Sequence, residues 1–145
     1  MSRRMLSLFV VVFALVAAFA DPAAAKGRPA GLALTADAVV PGPGDFAASG
    51  TFKVSVSRDE LKFEVIVTNV SGQIETIALY RAAVGSAGPM VLRLSPSAIG
   101  IQGLNGYVPV DRELGREISR NPERFYMEIR TNAYPNGALR GQLKQ

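Results

Sequence analysis

At 145 residues, 48% of them hydrophobic and 19% charged, the chain is sized for a single domain. It contains no cysteine, histidine or tryptophan, which excludes disulfides, thiolate nucleophiles, Ser–His or Cys–His catalytic pairs and the commonest transition-metal ligands. The net charge of +4 includes Arg3 and Arg4; from Lys26 onward 14 basic residues stand against 11 acidic ones, spread along the chain without the basic and aromatic clustering of a nucleic-acid surface.

Ser2-Arg3-Arg4 is a short basic start, and an uncharged apolar run follows from Leu6 to Ala20. As a helix that run is about 22 Å long. It falls short of a bilayer core of about 30 Å and suits the apolar region of a secretory signal. Asp21-Pro22 breaks the run, and Ala23-Ala24-Ala25 offers a small-x-small cleavage site before Lys26, with Ala18-Phe19-Ala20 as an earlier one. The expectation is a cleavable signal over 1–25 and one mature domain over 26–145. That domain is expected in the periplasm or outside the cell, with no stable membrane span after processing.

In the mature part, Gly31 to Val40 predicts a first strand, and Pro41-Gly42-Pro43-Gly44-Asp45 predicts a loop at the end of a sheet. Phe52, Val54 and Val56 alternate with polar residues, as do Leu61, Phe63, Val65 and Val67. Only Arg58-Asp59-Glu60 separates the two runs, so they predict a hairpin, though without the glycine that would name its turn. Val70 to Gln73 predicts a turn, and Ile74 to Arg81 the next strand, with Ile77 and Leu79 on one face and Thr76, Ala78 and Tyr80 on the other. A small-residue loop over 82–88 leads to a strand from Met90 to Leu94. Ile99 to Val108 is strand-like, but Gly100, Gly103 and Gly106 predict a bulge or bend.

The spacing of Val110, Leu114 and Ile118 predicts a short helix near 111–120, with Asp111 as its cap and Asn121-Pro122 as its end. Gly115 weakens it by about 1 kcal/mol relative to alanine. Phe125, Met127 and Ile129 alternate again, Tyr134-Pro135-Asn136-Gly137 predicts a turn, and Leu139 to Lys144 a last strand. Gly141, between Leu139 and Leu143, predicts close backbone packing. Seven or eight short strands with one helix predict an all-β fold, an antiparallel β-sandwich.

Three stretches resemble the chordin-type (CHRD) domain. Leu34-Thr35-Ala36-Asp37-Ala38-Val39-Val40-Pro41 is similar to the family's opening LTGAQEVPP segment. Ile77 to Leu94 is similar to its middle, and Asn121 to Leu143, with Asn121-Pro122, Phe125-Tyr126 and Arg140-Gly141-Gln142-Leu143, to its tail. The resemblance covers about residues 32–143, and its tail is the specific part. It implies a secreted β-sandwich, like the immunoglobulin and copper/zinc superoxide dismutase architectures. Many members carry two histidines in a segment AHLHRG and a third in VHT. Aligned on Arg81 and Gly88-Pro89, those positions hold Ala78, Tyr80 and Arg130 here. If the faces bearing residues 78 and 80 and residues 126, 128 and 130 are neighbours, the family's histidines form one polar cluster, which this chain rebuilds without imidazoles.

The first functional reading is therefore an exported, non-enzymatic binding or structural module without cofactor or metal. Its partner is a protein, an envelope polymer or a small anion, and not nucleic acid; its candidate ligand-binding residues are Tyr80, Tyr126 and Arg130, whose phenols and guanidinium can stack or hold an anion. The alternative is a carboxylate-dependent, glycan hydrolase-like envelope enzyme drawing on Asp37, Asp45, Asp59, Glu64, Glu75 or Glu128. Nothing pairs these acids in sequence, and Glu64 and Glu128 read as solvent-facing strand positions. A superoxide dismutase-like metal protein rests on fold analogy alone and lacks its ligands. Arg140-Gly141-Gln142 reads as structure, the glycine allowing strands to pack and Arg140 covering the sheet edge.

Overall fold

The computed structural model describes residues 31–95 and 103–145. The apolar run Leu6–Ala20 and its cleavage sites lie outside the described residues, as do Ile99 to Gln102 of the glycine-interrupted stretch. The alternation read in the sequence becomes β2 (Ser49–Ser57) and β3 (Glu60–Thr68), paired antiparallel along their whole length. Ser57 pairs with Glu60, leaving Arg58-Asp59 as a two-residue turn. Arg58 takes φ 55°, the positive angle that primed hairpin turns require at their first central position.

β1 (Leu32–Leu34) lies on one side of this hairpin and β6 (Gly103–Pro109) on the other, giving a first sheet ordered β1-β2-β3-β6. The second sheet is ordered β5-β4-β7-β8, from β4 (Ile74–Arg81), β5 (Met90–Arg93), β7 (Phe125–Thr131) and β8 (Leu139–Gln142). Every pairing is antiparallel. The inner faces meet in one core: Phe52, Leu61, Phe63 and Val65 from the first sheet, and Ile77, Leu79, Phe125, Met127, Ile129 and Leu139 from the second. The all-β sandwich with one short helix is the fold observed.

Gly141 sits at a close approach of the two layers. A Cβ there would run into the Ala33 carbonyl and the Phe52 ring, so the bare backbone lets the sheets approach. α1 (Arg112–Arg120) closes one end of the sandwich. Asp111 caps it by accepting from the backbone N–H groups of Glu113 at 2.8 Å and Leu114 at 3.4 Å. Ile118 is buried and Leu114 packs against the core. Gly115 costs the helix propensity but brings it against β2, with a Cβ there only 3.1 Å from Val56 Cγ1.

Three readings need correction. β1 ends at Leu34; Thr35 makes one bridge to Arg140 and residues 36–40 turn away. β6 pairs with β3 in unbroken register, with Gly106 opposite Phe63; the glycine leaves room for that ring, its Cβ falling 3.3 Å from Phe63 Cζ. The register shifts lie in β4 instead, at Leu79/Tyr80 and Ile74/Thr76. The positive charge is also not evenly spread, because Arg58, Arg112, Arg116 and Arg120 line one groove between the hairpin turn and α1. Among the described residues no helix is long and apolar enough to cross a membrane.

Candidate functional site

Because β4 and β7 are adjacent, the faces carrying residues 78 and 80 and residues 126, 128 and 130 are one surface. Tyr80 pairs with Tyr126, Ala78 with Glu128 and Thr76 with Arg130. β8 extends the rows, with Arg140 opposite Glu128 and Gln142 opposite Tyr126. This is the outer face of the second sheet, pointing away from the core, yet it is not solvated. Ala78, Tyr80, Tyr126, Glu128 and Arg140 are all buried.

Two covers exclude the water. The segment Ala82–Gly88 folds back over β7 and β8: Arg140 Nη2 donates to the Ala83 carbonyl at 3.1 Å, Gln142 Nε2 to the Ala82 carbonyl at 2.8 Å, and the Gly88 N–H to the Tyr126 hydroxyl at 3.2 Å. On the other side, Gly137 stands against Glu128. A Cβ at residue 137 would lie 3.2 Å from the Glu128 carboxyl carbon and 2.7 Å from Val39 Cγ1. Gly137 has φ 132°, so both conformation and space call for glycine there.

Beneath the covers, Tyr80 and Tyr126 stack with ring centroids 5.2 Å apart. The Arg130 guanidinium lies 4.9 Å from the Tyr80 ring centroid and that of Arg140 3.5 Å from the Tyr126 centroid. Arg130 Nε donates to Glu128 Oε1 at 2.8 Å. The cluster thus sets two guanidiniums against one carboxylate, with aromatic faces supplying the remaining contact for the cations. Three of its buried polar atoms, Tyr80 Oη, Glu128 Oε2 and Arg140 Nη1, have no hydrogen-bond partner among the described residues.

Burial dominates the proton affinities. It pushes the Glu128 carboxyl above its ordinary value, against the hydrogen bond and charge of Arg130 and the charge of Arg140. It raises the Tyr80 phenol, opposed by Arg130. Arg140 is lowered by burial. For Arg130 burial is again the largest single influence and acts downward, but the Glu128 hydrogen bond and the neighbouring phenols and carboxylate together raise it. Desolvation favours the neutral form of Tyr80, Glu128 and Arg140, and only at Arg130 do the neighbours outweigh it.

Tyr80, Tyr126 and Arg130 are therefore brought together, and Ala78 joins them. Two members were misread from sequence. Glu128 is buried rather than solvent-facing, because its strand is internal to the sheet and lies under the covers. Arg140 stands on an edge strand but is only 1% exposed, since residues 82–83 roof it. Only cross-strand register and the path of 82–88 reveal either, and neither is written in local periodicity.

The remaining acids do not converge. Asp45 is buried and accepts from the backbone N–H groups of Ala47 at 3.1 Å and Ser71 at 2.6 Å. Glu64 faces Lys53 on the first sheet at 4.0 Å, Asp59 sits in the hairpin turn, and Asp37 and Glu75 are exposed. Among the described residues no group of three or more metal-ligating side chains is placed to hold an ion.

The model of the CHRD domain family matches residues 31–143. No curated protein and no solved structure matches the chain. With most of its length matched, the chain belongs to the CHRD domain family.

Proposed function

We propose that this CHRD domain chain is an exported, non-enzymatic binding module that takes a small anion at the outer face of its second sheet, through Tyr80, Tyr126 and Arg130. The observation that carries the reading is the imbalance in the cluster. Two guanidiniums face one carboxylate, and two donors, the Tyr80 hydroxyl and Arg140 Nη1, are unpartnered among the described residues. An anion satisfies such donors and offsets the surplus charge. Arg130 is its route of approach, since that side chain is 36% exposed while its carboxylate partner is buried. Tyr126 holds the covering segment through Gly88 and carries Arg140 on its ring.

A carboxylate enzyme needs a second acid across a cleft from the first. Glu128 is bonded to Arg130, and the five other candidate acids lie on other surfaces or are spent on backbone donors. The dispersal supports binding over catalysis. Export is supported by the basic start, the short apolar run and the alanine-rich site before Lys26.

Calorimetric titration with sulfate, phosphate and acetate tests the anion. Tyr80→Phe and Arg130→Gln are each expected to weaken the best binder at least tenfold without loss of folding. Absence of binding by all three anions, or binding indifferent to both variants, overturns the site. N-terminal sequencing of protein made in cells tests export, with a start at Lys26 or Asp21 expected and an intact Met1 in the cytosol as the contrary result.

A further inference from the structure

A second surface, on the opposite sheet from the aromatic cluster, carries an independent inference. Between the β2–β3 turn and α1 runs an open groove of about 510 Å³ in which Arg58, Arg112, Arg116 and Arg120 are lining residues. All four are exposed. Among the described residues none forms a salt bridge; of the two acids on α1, Glu117 is engaged by Arg81 at 2.8 Å and Arg124 at 3.4 Å, and Glu113 stands exposed in the first turn. The floor is Gly115 and Val56.

Two parts of this arrangement are locally unfavourable, while Gly115 serves the close packing of α1 on β2. Arginines at 112, 116 and 120 stand four apart on one helix face, where like charges repel. Arg58 occupies φ 55°, a region that favours glycine, asparagine or aspartate. The arginine repulsion and the Arg58 backbone, two separate costs, meet at one groove, which is the pattern of a surface kept for a ligand.

We infer that this groove binds a linear acidic polysaccharide along α1. Successive arginines climb about 6 Å per step, and about 12 Å from Arg112 to Arg120, on a rigid rod. That even repeat suits a polymer whose carboxylates recur at a fixed interval, and each planar guanidinium can grip one carboxylate through two N–H groups. A single small anion would engage only part of so long a row. Nucleic acid is disfavoured because no aromatic residue lines the groove to stack a base. A lipid surface is disfavoured because the apolar face of α1 is already spent, with Ile118 3% exposed in the core.

The test uses the whole protein as purified from cells, with polygalacturonate as the probe. Binding is expected at low salt, weakening steeply as sodium chloride rises. The double variant Arg116→Gln/Arg120→Gln is expected to lose at least tenfold in affinity with its thermal midpoint unchanged or raised, since it relieves like-charge repulsion along α1. Arg130→Gln, on the other sheet, should stay within twofold, so failure of the small-anion site and failure of this groove read out separately. Polyglutamate, single-stranded DNA and neutral dextran serve as competitors. Absence of polygalacturonate binding, binding insensitive to salt, retention of affinity by the double variant, or tighter binding of any competitor overturns the inference.

Discussion

The ring of Tyr80 lies on the ring of Tyr126 with the two planes only 12° from parallel. These residues are directly opposite on β4 and β7, so register alone brings them together. The stack fills a face that would otherwise be wet, and a guanidinium over each ring continues it on both strands.

Truncating the stack should therefore cost core-like energy on an outer face. Tyr126→Ala is expected to destabilise by about 3–5 kcal/mol, as for a buried aromatic in a core. Tyr126→Phe keeps the ring and loses the hydroxyl's two contacts with Gly88, the bond it accepts from the N–H at 3.2 Å and the long one it donates to the carbonyl at 3.5 Å, a cost of about 1 kcal/mol. Urea unfolding of both variants checks this. A cost below about 1 kcal/mol for the alanine variant would mean that the covers, and not the rings, hold this face.

Tyr80→Phe should behave differently from Tyr126→Phe. The Tyr80 hydroxyl is buried without a partner among the described residues, and removing an unsatisfied polar atom relieves a desolvation cost of about 1–3 kcal/mol. The variant is expected to be as stable as the parent or more so, while losing anion affinity. Thermal melts and titrations on the same sample measure both. A stability loss above about 1 kcal/mol would show that the hydroxyl is already bonded in the free protein.

Much of this fold was legible because period-two alternation reports which face of a strand is buried. Phe52, Phe63, Phe125 and Met127 all point inward as their spacing requires. Asp111 and Ile118 marked the helix for the same local reason. The shared face of Ala78, Tyr80 and Arg130 was legible only through the family's histidines. What periodicity could not give was what covers an outer face. Glu128 alternates like any solvated charge, and only the descent of 82–88 and the approach of Gly137 bury it. The arginines at 112, 116 and 120 were counted as charge spread along the chain, because what gathers them into a groove is Arg58, which arrives from a distant turn.

Glu128 makes stability depend on pH with a definite sign. Its carboxyl has a folded pKa above the ordinary 4.5, so between those two values the folded state holds more protons than the unfolded one. Stability from this group is then greatest below 4.5 and falls as pH rises through the window to the raised folded value. Glu128→Gln cannot ionise, so its stability relative to the parent should improve as pH rises from about 4 toward neutrality. Denaturant midpoints of the pair across that range test it. A gap moving the other way would show that Arg130 and Arg140 outweigh burial.

The spacing between the sheets rests on one missing side chain. Gly141 lies on the inner face of β8 between Leu139 and Leu143, and a Cβ there would strike the Ala33 carbonyl and the Phe52 ring. Neither can retreat easily. Ala33 is held in β1 by pairing with Thr51, and Phe52 is 1% exposed inside the core. Gly141→Ala is thus an overpacking change, expected to cost about 1–3 kcal/mol. Gly103→Ala is the matched control, since among the described residues its Cβ would meet only the Val65 carbonyl, at an ordinary 3.7 Å; its effect should stay within about 0.5 kcal/mol. Equal costs in the two variants would place the penalty in the strand backbone. A large difference would place it in the approach of the two sheets, where Phe52 fills the space that residue 141 leaves open.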